Sequence, residues 1–371
     1  MLTCYVCDCE ITKNNTYREH IILNALGGKL ISPSIICETC AEKFNSIDTS
    51  LSNQLNFVGL MLNIKRDRGA NPSMRVKKEI TGEEFLLTAG GKPLPIKPII
   101  KENQQDGGIF IQAKDENEMR KILNGLKRKY TFLKDKDIEE IISQAVRRQE
   151  YFDQPVTINI ELDNTTFRAI CKMIISFYMQ NGGNRENISH LLPYILGDSQ
   201  ENCVFYYYPD RTFTTTNDSF KILHQLFIKG SSTEKIIYGY VELFSTFKFL
   251  VLLSNDYIGN DFCKEYSFDV MERDKIESNI NIDLCKNSIS EIKESQQKNI
   301  NKFKNALDEL RFFIDHKQSE EHISNIVQTS IENVFKGIEE GSTINEDDYI
   351  RLIDNFLEKF AHFLNFKNRN F

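Results

Sequence analysis

The sequence predicts an α+β chain in four sections. These are a small cysteine-framed N-terminal module (1–60), a basic mixed α/β linker section (61–150), an antiparallel sheet with a packed helix (151–270) and an all-helical C-terminal section (271–371). Three observations predict this. Two C-x-x-C pairs fall within the first forty residues, alternating apolar runs recur between 204 and 253, and apolar residues beyond 271 keep helical spacing.

The linker section opens on Lys65-Arg66-Asp67-Arg68. The Gly- and Pro-dense run Ala89–Pro95 reads as an irregular loop. Ile109 and Ile111 alternate as in a strand, and Asp115 with Glu118 forms a variant capping box. Met119, Ile122, Leu123 and Leu126 then follow at helical spacing, and a second helix is expected over Lys136–Gln149. In the third section Val156, Ile158, Ile160 and Leu162 alternate over a strand. The helix after it takes Asn164 as its cap, buries Phe167, Ile170, Ile174 and Tyr178, and stops at Gly182-Gly183. Val204–Tyr208, Phe220–Ile228, Ile236–Phe244 and Phe247–Leu253 read as strands joined mostly by short turns.

With 40% hydrophobic and 27% charged residues, the composition is that of a globular protein. The most apolar window, Phe244–Leu253, still contains Lys248, which argues against a membrane span. The N-terminus shows no signal-peptide pattern, so a cytoplasmic location is expected. The net charge of -7 is uneven: residues 1–150 hold 23 Lys+Arg against 20 Asp+Glu, and residues 151–371 hold 23 against 33. Residues 61–130 alone hold 15 against 9. A basic segment in an acidic chain suits contact with nucleic acid through one part only.

Five of the nine cysteines lie in the first forty residues, which points to metal binding rather than disulfides. Cys4-Tyr5-Val6-Cys7 and Cys37-Glu38-Thr39-Cys40 are two knuckles that together complete a tetrahedral Cys4 site for structural zinc. Such a site contributes folding free energy that so small a module lacks in its own core. Cys9 is left free, because C-x-C geometry serves one ion less well.

Between the knuckles lies Arg18-Glu19-His20-Ile21-Ile22-Leu23-Asn24-Ala25-Leu26-Gly27-Gly28-Lys29. Over residues 4–51 this arrangement resembles the HNH endonucleases, also called ββα-metal or His-Me finger nucleases. The branch concerned has C-x-x-C, an acidic residue with His, a Gly-Gly turn, and C-x-x-C leading into a helix. The resemblance implies that Glu19 binds a catalytic Mg2+ or Mn2+ and that His20 is the general base. An imidazole has the basicity to take a proton from water near neutral pH, and a hard cation stabilises charge on the departing oxygen. The family usually has His or Asn directly after the last cysteine as a second metal ligand, where this chain has Ala41. Asn45, one helical turn on, is the replacement ligand, with Asp48 as second choice. One of Gly27 and Gly28 is expected at positive φ. Ser32 and Ser34 take the middle position of the motif and read as a solvent-exposed turn.

These residues predict a metal-dependent endonuclease acting on DNA, and the resemblance suggests a bacterial restriction or anti-phage defence effector. Lys65, Arg66, Arg68, Lys127, Arg128 and Lys129 are the expected phosphate contacts. The helical C-terminal section offers an assembly surface for a second copy or a partner protein. The competing readings are a zinc-stapled nucleic-acid-binding module that has lost cleavage, and a partner-dependent subunit. His190, His224, His316, His322 and His362 form no motif and are expected to be structural.

Overall fold

The computed structural model describes residues 2–102, 108–145, 156–209, 221–336, 338 and 341–369. They form an α+β structure of two compact units, the first built from Met1–Pro72 and Ile160–Ser319, the second from Ser73–Asn159 and Glu320–Phe371.

The first unit opens with a minimal hairpin, β1 (Glu19–His20) and β2 (Ile31–Ser32), paired antiparallel with Glu19 opposite Ser32. The helix after the second knuckle comes in two pieces, α1 (Glu38–Glu42) and α2 (Asn45–Met61). Ile47, Leu51, Leu55 and Val58 give α2 a buried face at three- and four-residue spacing.

In the second unit β3 (Met74–Lys78), β4 (Glu84–Thr88), β5 (Lys92–Pro95) and β8 (Val156–Thr157) form one sheet, in the order β5-β4-β3-β8. β6 (Ile99–Glu102) and β7 (Ile109–Gln112) form a separate hairpin. The expected irregular loop at 89–95 is therefore partly strand. Gly90 and Gly91 make the turn at positive φ, and the proline-bearing β5 lies at the sheet edge, where a missing N–H breaks no ladder. Only Val156 and Thr157 of the strand expected from Val156 to Leu162 pair with a neighbour.

Helix α3 (Glu116–Leu126) is capped as expected, the Asp115 side chain accepting from the Glu118 N–H at 2.7 Å. Helix α4 covers Asp135–Gln144 and turns extended at Ala145, and the rest of the expected span to Gln149 lies outside the described residues.

Helix α5 (Asn164–Gln180) returns the chain to the first unit. Its cap is Asp163 rather than Asn164, because the Asp163 carboxylate accepts from the Thr166 N–H while Asn164 accepts from the Tyr194 hydroxyl. A short helix α6 (Leu192–Leu196) leads to a six-stranded antiparallel sheet of β9 (Val204–Tyr206), β10 (Leu223–Ser231), β11 (Ile236–Leu243), β12 (Phe247–Ser254), β13 (Phe262–Asp269) and β14 (Asp274–Ile276), ordered β14-β13-β10-β11-β12-β9. Phe220, where the β10 strand was expected to start, lies outside the described residues.

β11 is buried along its whole length because both faces of the sheet are covered. Tyr238 and Tyr240 pack with Ile280, Ile282 and Ile289 on one face. On the other, Gly239 lets α5 approach, since a Cβ there would lie 2.5 Å from Ile174 Cγ2. α7 (Lys286–Glu294), α8 (Gln296–Phe335) and α9 (Glu346–Arg369) make the C-terminal section helical apart from β14. α8 begins in the first unit and ends in the second.

His224 on β10 is fully buried and uses both ring nitrogens as a neutral imidazole. Nε2 lies 2.9 Å from the Leu26 carbonyl, to which it donates, and Nδ1 accepts from the Phe244 N–H at 3.3 Å. Burial holds its pKa down to about 4, against about 6.5 for the unfolded chain. Above pH 6.5 neither state binds the proton and the contribution to stability is complete. As pH falls from 6.5 towards 4 the unfolded state takes a proton that the native state refuses, removing about 3 kcal/mol. The urea midpoint should fall across this window, and fall less in His224→Gln. Equal slopes for the two proteins would show that His224 does not govern this transition.

Candidate functional site

The first knuckle is closed by the Cys4 N–H donating to the Cys9 carbonyl at 2.9 Å, with Asp8 at a φ of 62°. The second is the N-terminus of α1, where the Cys40 and Ala41 N–H groups both donate to the Cys37 carbonyl. Together they place the sulfurs of Cys4, Cys7, Cys37 and Cys40 within 4.8 Å of one another. Cys7 and Cys37 Sγ are 3.8 Å apart, close to the edge of about 3.8 Å that a tetrahedral zinc–thiolate site requires. The four cysteines form a cluster able to hold a metal ion, compatible with structural zinc, and Cys9 is not part of it.

The connection between the hairpin arms depends on both glycines for different reasons. Gly27 has a φ of 84°. At Gly28 a Cβ would lie 2.2 Å from the Ile22 carbonyl oxygen, so the side-chain space is taken by backbone. Ser32 is buried in β2, not in an exposed turn, because it pairs with Glu19 across the hairpin.

The Glu19 carboxylate is buried, with its side chain 5% exposed. It forms an ion pair with the Lys172 ammonium, which comes from α5 and is 2% exposed. The same ammonium donates to Asp48 Oδ2 at 2.9 Å. Burial pushes the Glu19 carboxyl upward, and Lys172 opposes that shift. Burial alone favours a neutral amine at Lys172, but Asp48 and Glu19 overcome it and raise its pKa. Asp48 Oδ1 and His20 Nε2 are buried without a hydrogen bond, and Glu19 Oε1 has only the ion pair. Asp48 Oδ1 is thus oxygen ligation that the ammonium leaves unused, which fits a hard divalent cation.

His20 Nε2 lies 3.8 Å from Asp67 Oδ2. Burial lowers the His20 pKa and Asp67 opposes it, so the ring is neutral at pH 7. Asp67 is itself held in place: its N–H donates to Asn24 Oδ1 at 2.9 Å and its carboxylate accepts from Arg273 Nη2 at 2.7 Å.

Ala41 is buried, and Asn45 is exposed at the start of α2. Asn45 shares a face with Ala41 only along a continuous helix. The chain instead breaks at Lys43-Phe44 between α1 and α2, and Asp48 is the helix residue that meets Glu19 through Lys172. Lys65 and Arg68 are exposed, whereas Arg66 is committed to structure, donating to Asn71 at 2.7 Å and Asn56 at 3.0 Å. Lys127, Arg128 and Lys129 belong to the second unit, just after α3, where Lys127 pairs with Asp135 and Lys129 with Glu102.

A zinc-type knuckle pair beside an acidic residue, a neutral histidine and a glycine turn is a specific combination. Residues 4–56 match the HNH endonuclease family. No curated protein and no solved structure matches the chain. The HNH segment therefore carries a nuclease-type, metal-binding module at the level of the family. Among the described residues no helix is long and apolar enough to cross a membrane.

Lys172, Asp67 and Arg273 were not singled out from the sequence. Lys172 stands in an apolar helix, Cys171-Lys172-Met173-Ile174-Ile175, and a charge inside such a run was the available signal that it answers a buried partner.

Proposed function

We propose that this chain is a metal-dependent endonuclease that hydrolyses phosphodiester bonds of DNA. The observation that carries the reading is the half-buried His20 next to a buried Glu19 that shares the Lys172 ammonium with Asp48. In this reading Glu19 and Asp48 hold the divalent ion, and Asn45, turned to solvent, does not. A bound Mg2+ or Mn2+ supplies Lewis-acid stabilisation of charge on the leaving oxygen. His20 accepts a proton from the attacking water. Asp67, anchored by Arg273 and Asn24 and 3.8 Å from Nε2, favours the protonated imidazole once the proton has moved.

Lys65 and Arg68 are exposed on either side of Asp67 and are the phosphate contacts the reading favours. Lys127, Arg128 and Lys129 remain candidates on the second unit. A role in bacterial restriction or anti-phage defence rests on the resemblance of the HNH segment alone. The expectation of a cytoplasmic protein rests on the N-terminal sequence, and that of a second copy or partner on the helical C-terminal section.

The test is incubation of the full chain with supercoiled plasmid and Mg2+ or Mn2+. Conversion to nicked or linear DNA, abolished by chelator, is the expected result. A second reading, a nucleic-acid-binding module that no longer cleaves, is favoured by two observations: Ala41 in the usual ligand place and Lys172 between the two carboxylates. DNA retained by a protein inert with every divalent ion would select it over the first.

A further inference from the structure

We propose that Lys172 is the resident cation of this site, and that a divalent ion binds by displacing its ammonium from between Glu19 and Asp48. The inference rests on the proposed function for the identity of the site, and it assigns a residue from α5, far outside the HNH segment, to control access to it.

Two carboxylates brought to one buried point repel each other and lose hydration, so the arrangement persists only around a positive charge. Lys172 supplies that charge from a side chain 2% exposed, with its ammonium against Glu19 and hydrogen-bonded to Asp48. Around it the Tyr5 hydroxyl lies 3.4 Å from Ser176 Oγ and the Phe44 ring faces Nζ at 5.7 Å. An ammonium and a divalent ion cannot share a position 2.9 Å from Asp48 Oδ2. The unsatisfied Asp48 Oδ1 marks ligation that the lysine leaves unused, and displacing the ammonium also frees Glu19 Oε1 and Asp48 Oδ2 for the ion. Lys172 therefore keeps the two acids together when the ion is absent and competes with it when it is present.

The experiment measures Mn2+ binding to the full chain by the loss of the free-ion electron paramagnetic resonance signal. Wild type is compared with Lys172→Gln and with Lys172→Gln/Asp48→Asn. Lys172→Gln should bind Mn2+ tighter by on the order of tenfold or more, because the competing charge is gone, and the double variant should lose that gain. Equal or weaker binding by Lys172→Gln would overturn the proposal and make the lysine a partner of the ion. A second measurement on wild type keeps the test open if the variant does not fold. Lys172 should resist an amine-acylating reagent without Mn2+ and become labelled with it, read by peptide mass spectrometry. Protection unchanged by Mn2+ also overturns the proposal. Plasmid cleavage is scored separately. Cleavage by wild type without these Mn2+ effects removes the inference and leaves the function, whereas the Mn2+ effects in an inert protein do the reverse.

Discussion

Cys37→Ser should release the bound zinc and unfold the HNH segment. Cys37 both ligates and builds, since its carbonyl accepts the first two N–H bonds of α1 and its sulfur lies 3.8 Å from that of Cys7. A serine hydroxyl is a poor zinc ligand near neutral pH, so the tetrahedral set drops to three thiolates. Structural zinc sites in small modules carry roughly 10–16 kcal/mol of apparent binding free energy at pH 7, and in such modules this is folding free energy. Elemental analysis should give about one zinc per chain for wild type and none for Cys37→Ser. Proteolysis of the variant should begin within residues 4–56. Cys9→Ser, which alters a cysteine outside the cluster, should keep its zinc. Retention of zinc by Cys37→Ser would remove that residue from the ligand set.

His20→Ala should lower plasmid cleavage by about 10²–10⁴-fold while leaving Mn2+ and DNA binding in place. The separation is expected because Glu19 and Asp48 meet at the Lys172 ammonium, whereas the His20 ring is paired with Asp67. Removing the ring leaves the carboxylates untouched and opens a half-buried gap beside Asp67. Added imidazole should enter that gap and restore part of the rate, an effect that a merely structural histidine does not give. Full activity in His20→Ala would move the general base elsewhere, and loss of metal binding with activity would make the residue a ligand.

The zinc knuckles, the acidic-His pair and the glycine turn were legible because covalent spacing fixes them: each needs a few residue types at short range. The sheet was legible as far as its strands alternate cleanly. β13 was not read because Lys264-Glu265 interrupts its apolar pattern, and both are exposed at the open end of the strand. β5 was misread because Pro93 and Pro95 suggested a loop, although an edge position tolerates them. The ligand set was harder. Asn45 followed from a helix treated as unbroken, and the break at Lys43-Phe44 depends on how Phe44 packs, since it is fully buried. Lys172 lies 124 positions beyond Asp48, and no local pattern links the two.

One helix and the loop after it hold both ends of the HNH segment. Along α5, Lys172 meets Glu19 and Asp48, Ser176 meets the Tyr5 hydroxyl, and just beyond it Arg185 donates to the carbonyls of Tyr5 and Val6 at 2.8 and 3.1 Å, inside the first knuckle. The two grips on α5 lie about one turn apart, and Arg185 follows five residues after the helix ends. A slide of α5 by a single turn, about 5.4 Å, would break all of them together. The sequence neighbours of Glu19 and His20 are thus only part of their scaffold. A fragment ending at Pro72 keeps every motif residue yet loses this grip, so the segment cannot be cut out and used as a cassette. Substitutions that shift α5 against the sheet, such as a larger residue at Gly239, would be felt at the acids and the knuckle in the same step.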